Sequence, residues 1–168
     1  GPDGASTALS LEAAVLDLFR DRPDDFYDLA SEAIIGYGQS GRIDSEGIAR
    51  MIAVRRAASR SSHLRRLQVA DLDNDGQVSR QEVGAVLPTL SARLRARLVH
   101  LHRDADGDGN GVVDVHELRD WAEASARRSL SEKWAQDYRR VMLADLDRDG
   151  WVSLEEIAAT MAQPMPES

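Results

Sequence analysis

Asp71, Asp73, Asp75, Ser79 and Glu82 stand at positions 1, 3, 5, 9 and 12 of a twelve-residue stretch, with Gly76 at position 6. Oxygen-bearing side chains on alternate residues of a chain that then turns sharply can converge on one point. The chemistry that uses such a shell is capture of a hard cation. Calcium takes about six to eight oxygens at roughly 2.3–2.6 Å. The backbone carbonyl of Gln77 at position 7 completes the set, and Ser79 is expected to act through water. Gly76 occupies the turn, where a left-handed backbone is cheap only for glycine. Val78 at position 8 is apolar and is expected to pair with a neighbouring loop as a short strand.

The pattern recurs twice. Asp145, Asp147, Asp149, the Trp151 carbonyl, Ser153 and Glu156 repeat it around Gly150, with Val152 at position 8. The Trp151 ring is expected near the ion's surroundings, where its fluorescence reports binding. The middle copy has two registers. Starting at Asp104 puts Val115 at position 12, where no carboxylate is available. Starting at Asp106 gives Asp106, Asp108, Asn110, the Val112 carbonyl, Asp114 and Glu117, with Gly111 at the turn and Val113 at position 8. The second register is preferred. Its glycines at positions 2, 4 and 6 raise the entropy lost on ordering.

The loops begin at residues 71, 106 and 145, so a fixed period invites a search upstream. The segment 36–47 keeps Gly41 at position 6 and Ile43 at position 8. It carries Gly36, Gly38 and Ser40 where the acids belong, and Gly47 at position 12. It reads as a unit that keeps its turn and strand without ligands. The alternative is an unrelated helical hairpin over 24–57. Consecutive pairing is expected, Ile43 with Val78 and Val113 with Val152.

Helices must hold these loops. Ser79–Glu82, Asp114–Glu117 and Ser153–Glu156 each place a capping oxygen three residues before a Glu, so helix start and ligand coincide. Val83, Val86 and Leu87, then Leu118, Trp121 and Ala122, then Ile157 and Met161 form apolar stripes on the exiting helices. Leu64, Leu67 and Ala70 lead into the first acidic loop. Leu94, Leu98, Leu101 and Ala105 lead into the second, and Trp134, Tyr138, Val141 and Ala144 into the third. Pro88 closes one helix, Ser91 caps the next, and Ser129–Glu132 is read as a further capping box. An extra N-terminal helix is expected over about residues 10–20, ended or bent by Pro23.

Composition narrows the function classes. Among 168 residues there is no cysteine, which removes disulfides and thiolate chemistry. No apolar stretch is long enough for a membrane span. Gly1-Pro2 reads as a protease-cleavage scar. No basic start followed by an apolar run opens the chain, so a cytoplasmic location is expected. The net charge is −8, which three calcium ions would bring to about −2. Arg50, Arg55, Arg56, Arg60, Arg65 and Arg66 read as a solvated helix face rather than a nucleic-acid or acidic-partner surface. Lys133 is the only lysine among 21 basic side chains, a bias that fits a high-GC bacterial genome. His63, His100, His102 and His116 form no ligand pattern and read as surface or boundary residues.

On these loops the chain resembles the EF-hand superfamily. The nearest types are four-hand proteins of the calmodulin-like and sarcoplasmic calcium-binding kinds and the bacterial calerythrin-like members. The resemblance covers about residues 24–163. It implies an all-α fold of two EF-hand pairs with short β pairing between loops. The expected division is residues 1–8 as a disordered or cleavage-derived start, 9–88 as the first pair, 89–163 as the second and 164–168 as a tail. It implies three calcium ions with magnesium as competitor, and no catalytic residues. Only four methionines and two phenylalanines argue against a promiscuous Met-rich groove. A monomeric intracellular buffer, or a sensor with one dedicated protein target, is expected. The alternatives are a calcium-regulated module of a larger enzyme and, with only eight aromatics against it, a chromophore-binding photoprotein.

Overall fold

The computed structural model describes residues 23–162. The N-terminal helix expected over 10–20, the segment 1–8 and the tail 164–168 lie outside them. Among the described residues the protein is all-α, with short strands only at the loops. In chain order the elements begin with α1 (Pro23–Tyr37), β1 (Arg42–Ile43) and α2 (Ser45–Gln68). After β2 (Val78–Ser79) and α3 (Arg80–Val86) come α4 (Ala92–Ala105), β3 (Val112–Val113) and α5 (Val115–Ser129). The last elements are α6 (Glu132–Arg139), β4 (Val152–Ser153) and α7 (Leu154–Ala162). Short 3-10 turns at Leu87–Thr89 and Arg140–Ala144 follow α3 and α6.

Local chemistry explains most boundaries. Pro23 opens α1 and is followed by Asp24 and Asp25, which suit the positive end of a helix. Ser91 caps α4 by accepting the Leu94 amide. Pro88 sits in the turn that stops α3. Ser129 is the last residue of α5, and α6 begins at Glu132. The capping box expected at Ser129 is therefore absent: the break in the helix falls at Leu130–Ser131, just after the motif's capping position.

The strands pair in a non-consecutive order. β1 runs antiparallel to β4, with Ile43 opposite Val152. β2 runs antiparallel to β3, with Val78 opposite Val113. The chain accordingly divides into two compact units, one of residues 23–54 and 132–162, the other of 55–131. This replaces the expected pairs 9–88 and 89–163. The cause is α2. Residues 48–75 contain no glycine or proline, so α2 runs unbroken for 24 residues, about 36 Å.

Each unit has its own core. In the first, Ile43, Ile48, Met51, Val152 and Ile157 are fully buried with Phe26, Ile34 and Val141. In the second, Leu67, Val78 and Val113 are fully buried with Leu98, Leu118 and Trp121. Each such side chain contributes about 1.5–3 kcal/mol. The strand residues at loop position 8 are all in these cores, so loop geometry and core packing are fixed together.

Candidate metal centres

Three acidic clusters lie between these helices. Asp71, Asp73, Asp75 and Glu82 bring carboxylate oxygens within 4.8 Å of one another, as do Asp145, Asp147, Asp149 and Glu156, and Asp106, Asp108 and Glu117. Two oxygens on opposite sides of one calcium ion would stand about 4.6–5.2 Å apart. The clusters therefore have the span of a single-ion cage.

The loops share one internal wiring. The position-1 aspartate accepts the amide of the position-6 glycine: Gly76 to Asp71 at 3.0 Å, Gly111 to Asp106 at 2.8 Å and Gly150 to Asp145 at 2.9 Å. The position-5 side chain accepts the amide of position 7, so Asp75, Asn110 and Asp149 take Gln77, Val112 and Trp151, each at 2.9 Å. These bonds fix the position-1 and position-5 side chains against the backbone of their own loop. Gly76, Gly111 and Gly150 have φ of 81°, 86° and 85°, the left-handed turn that glycine tolerates. Position 4 is left-handed as well, at Asn74, Gly109 and Arg148.

Capping and cage coincide as the sequence implied. The Glu82 amide donates to Ser79 Oγ at 3.1 Å while Glu82 Oε1 accepts the Ser79 amide at 3.0 Å. Asp114–Glu117 and Ser153–Glu156 repeat the exchange. Position-12 Oε2 reaches back to the loop start, accepting Leu72, Asp108 and Leu146 amides. Asp106 marks the register of the middle loop. Asp104 is committed elsewhere, accepting Trp121 Nε1–H at 3.0 Å with Arg128 nearby. Asp106 Oδ1 is buried with no hydrogen-bond partner among the described residues. A buried orphan oxygen inside an acidic loop fits a cation better than it fits an empty turn.

Desolvation and hydrogen bonding split the carboxylates. Desolvation, then the neighbouring Asp75 side chain, raises Asp73 above its ordinary value. The Gln77 amide holds Asp75 down, and the Ser79 amide does the same for Glu82. In the last loop desolvation raises Asp145, while its hydrogen bond with Asp145 lowers Asp147. A divalent cation among them would favour the charged form of each carboxylate.

Three acidic loops with this wiring, each between an entering and a leaving helix, decide the family. The chain belongs to the EF-hand superfamily. The EF hand family profile matches residues 64–87 and 103–120, which frame the second and third hands. Polcalcin Aln g 4 of Alnus glutinosa is 29% identical over 65 residues, 39% of this chain and 76% of that relative. No solved structure matches. This EF-hand protein is a calcium-binding one, and no helix among the described residues is long and apolar enough to cross a membrane.

The first hand differs in kind. α1 continues through Tyr37, and Ser40 (φ 55°) and Gly41 (φ 76°) form a tight turn. Two successive positive φ values suit a two-residue hairpin. Gln39 and Arg42 close it with amide–carbonyl bonds of 2.7 and 3.1 Å. Asp44 caps α2, accepting the Gly47 amide at 2.8 Å. Gly47 stands where the other hands have Glu, and a Cβ there would lie 2.6 Å from Ile43 Cγ1. The sequence therefore located this hand correctly, but could not show that a self-closed hairpin replaces its loop.

Three further residues escaped the sequence reading. His102 is buried, against the surface or boundary position expected, and its Nε2 lies 2.9 Å from the Val78 carbonyl. It ties α4 to β2. Arg60 joins Glu123 at 3.0 Å, and Arg56 donates to the Leu130 carbonyl. Part of the arginine-rich face is thus spent on contacts within its own unit.

Proposed function

We propose that this protein takes up three calcium ions, one at each of the loops 71–82, 106–117 and 145–156, and acts as a non-enzymatic calcium buffer. The position 1, 3, 5 and 12 side chains, the Gln77, Val112 and Trp151 carbonyls, and Ser79, Asp114 and Ser153 at position 9 are the ligand set. The observation that carries this reading is the wiring that the three loops share, each with the Glu that also starts its exiting helix. When bound, calcium supplies positive charge that neutralises the cage carboxylates. The chain's own part is to hold those oxygens together and to pass the closure to α3, α5 and α7 through their first turns.

A sensor with one dedicated protein target is the second reading. It is favoured by an open cavity of about 630 Å³ beside the second and third hands, where Leu64, Val115 and Leu118 meet Arg60, Arg119 and Glu123. A bacterial cytoplasm, supported only by the arginine bias, is the proposed setting. Calorimetric titration of chelated protein with calcium, with and without magnesium, tests the core of the proposal. Three equivalents are expected; fewer than two would refute it. A large calcium-dependent rise in apolar dye binding would replace the buffer by the sensor.

A further inference from the structure

The strand pairing sets the three calcium loops in unequal company. The loops 71–82 and 106–117 pair with each other through Val78 and Val113, and the Arg80 amide donates across to the Gly111 carbonyl at 2.8 Å. Residue 80 is position 10 of one cage and residue 111 is position 6 of the other. Ordering either loop therefore fixes a strand and a turn residue of its neighbour. The loop 145–156 pairs instead with the hairpin of the first hand. That hairpin closes on its own amides, as the Gln39–Arg42 bonds show. A Cβ at Gly38 would meet the Arg42 and Ile34 carbonyl oxygens, and one at Gly47 would meet the buried Ile43 side chain. The Arg42 guanidinium also lies 4.4 Å from the centre of the Trp151 ring, and Trp151 carries the position-7 carbonyl.

We propose that the ion-free hairpin, with Arg42 stacked on Trp151, is a standing support that positions the fourth loop. That loop then fills as an independent single site, while the second and third loops fill as a coupled pair. This rests on the proposed three-site calcium binding and adds how the sites divide. A loop docked on a partner already folded loses less freedom on binding, which favours affinity without a second ion. Two loops that order each other are linked, and each raises the other's affinity by the same factor. The guanidinium charge acts in the opposite sense, repelling a nearby cation, so the sign of the Arg42 effect decides between support and simple electrostatics.

Amide resonances of Gly76, Gly111 and Gly150 in the full chain report the three loops separately, since each amide donates to its own cage. In a calcium titration Gly150 is expected to follow a one-site curve, and Gly76 and Gly111 to move together. Glu117→Gln is expected to weaken the Gly76 transition about fivefold or more, leaving the Gly150 midpoint within about twofold. Arg42→Gln is expected to shift the Gly150 midpoint about two- to fivefold toward higher calcium, the scale of an exposed cation–π contact. Arg42→Lys, which keeps a cation over the ring, restores it, and neither variant moves Gly76 or Gly111. Equal displacement of Gly76 and Gly150 by Glu117→Gln overturns the division into classes. An unchanged or tighter Gly150 site in Arg42→Gln overturns the support. Absence of any transition at all three glycines refutes calcium binding itself.

Discussion

Two glycines of the first hand, separated by a single residue, should respond to the same substitution with opposite signs. Gly36 lies in the last turn of α1, and a Cβ built there meets nothing within 4 Å. Replacing it by alanine removes unfolded-chain freedom and stabilises by about 0.4–1 kcal/mol. A Cβ on Gly38 would stand 2.4 Å from the Arg42 carbonyl oxygen and 2.5 Å from that of Ile34. Both are backbone atoms, and the second already accepts the Gly38 amide at 2.9 Å. Neither can rotate away, so the hairpin must shift, at about 1–3 kcal/mol. The two variants should therefore differ by roughly 1.5–4 kcal/mol, or about 3–15 °C in melting temperature for a chain of this size. Thermal unfolding in excess chelator, followed by far-ultraviolet circular dichroism, reads this without the ions. A Gly38→Ala chain melting at or above its parent would refute the closed-hairpin geometry. The same geometry predicts that Gly36→Asp, Gly38→Asp, Ser40→Asp and Gly47→Glu together will not create a fourth calcium site.

Chelation should lower the melting temperature, because an unfolded chain has no assembled cage; saturation at a hundredfold excess over Kd adds about 2.7 kcal/mol per site, read by melting with and without calcium. Calcium affinity should fall on acidification from pH 7 to 5, with the loops of Asp73 and Asp145 affected first, since their raised values make them the first to take protons; titrations at both pH values check this. For the metal-free chain the signs separate. The lowered groups Asp75, Glu82 and Asp147 stabilise it above the ordinary carboxylate range and lose that contribution as pH falls through their depressed values, whereas protonation of Asp73 and Asp145 offsets the loss. His102→Leu should cost about 1–3 kcal/mol in urea unfolding, as it removes a buried hydrogen bond to the Val78 carbonyl; an unchanged midpoint would show that His102 does not tie α4 to β2.

The cages are legible in the residues alone because their chemistry is local. Ligand spacing, turn glycine and capping glutamate all fall within twelve residues, and even the choice of Asp106 over Asp104 follows from where a carboxylate lands at position 12. His102 is not legible in this way because its partner, Val78, is 24 residues away and offers only a backbone oxygen. Ser129 misleads because a capping motif says nothing of whether the preceding helix has already ended.

By itself, then, the sequence determined three acidic loops of calcium-binding pattern, one loop without acids at those positions, and the helices on either side. Only the tertiary structure decided which loop keeps company with which. Ile43, Val78, Val113 and Val152 are all β-branched and apolar, so any two can pair and none names its partner. The choice fell to an unbroken helix, α2, and to the two cores that its residues enter. Packing over the whole chain fixed a pairing that no twelve-residue window contains.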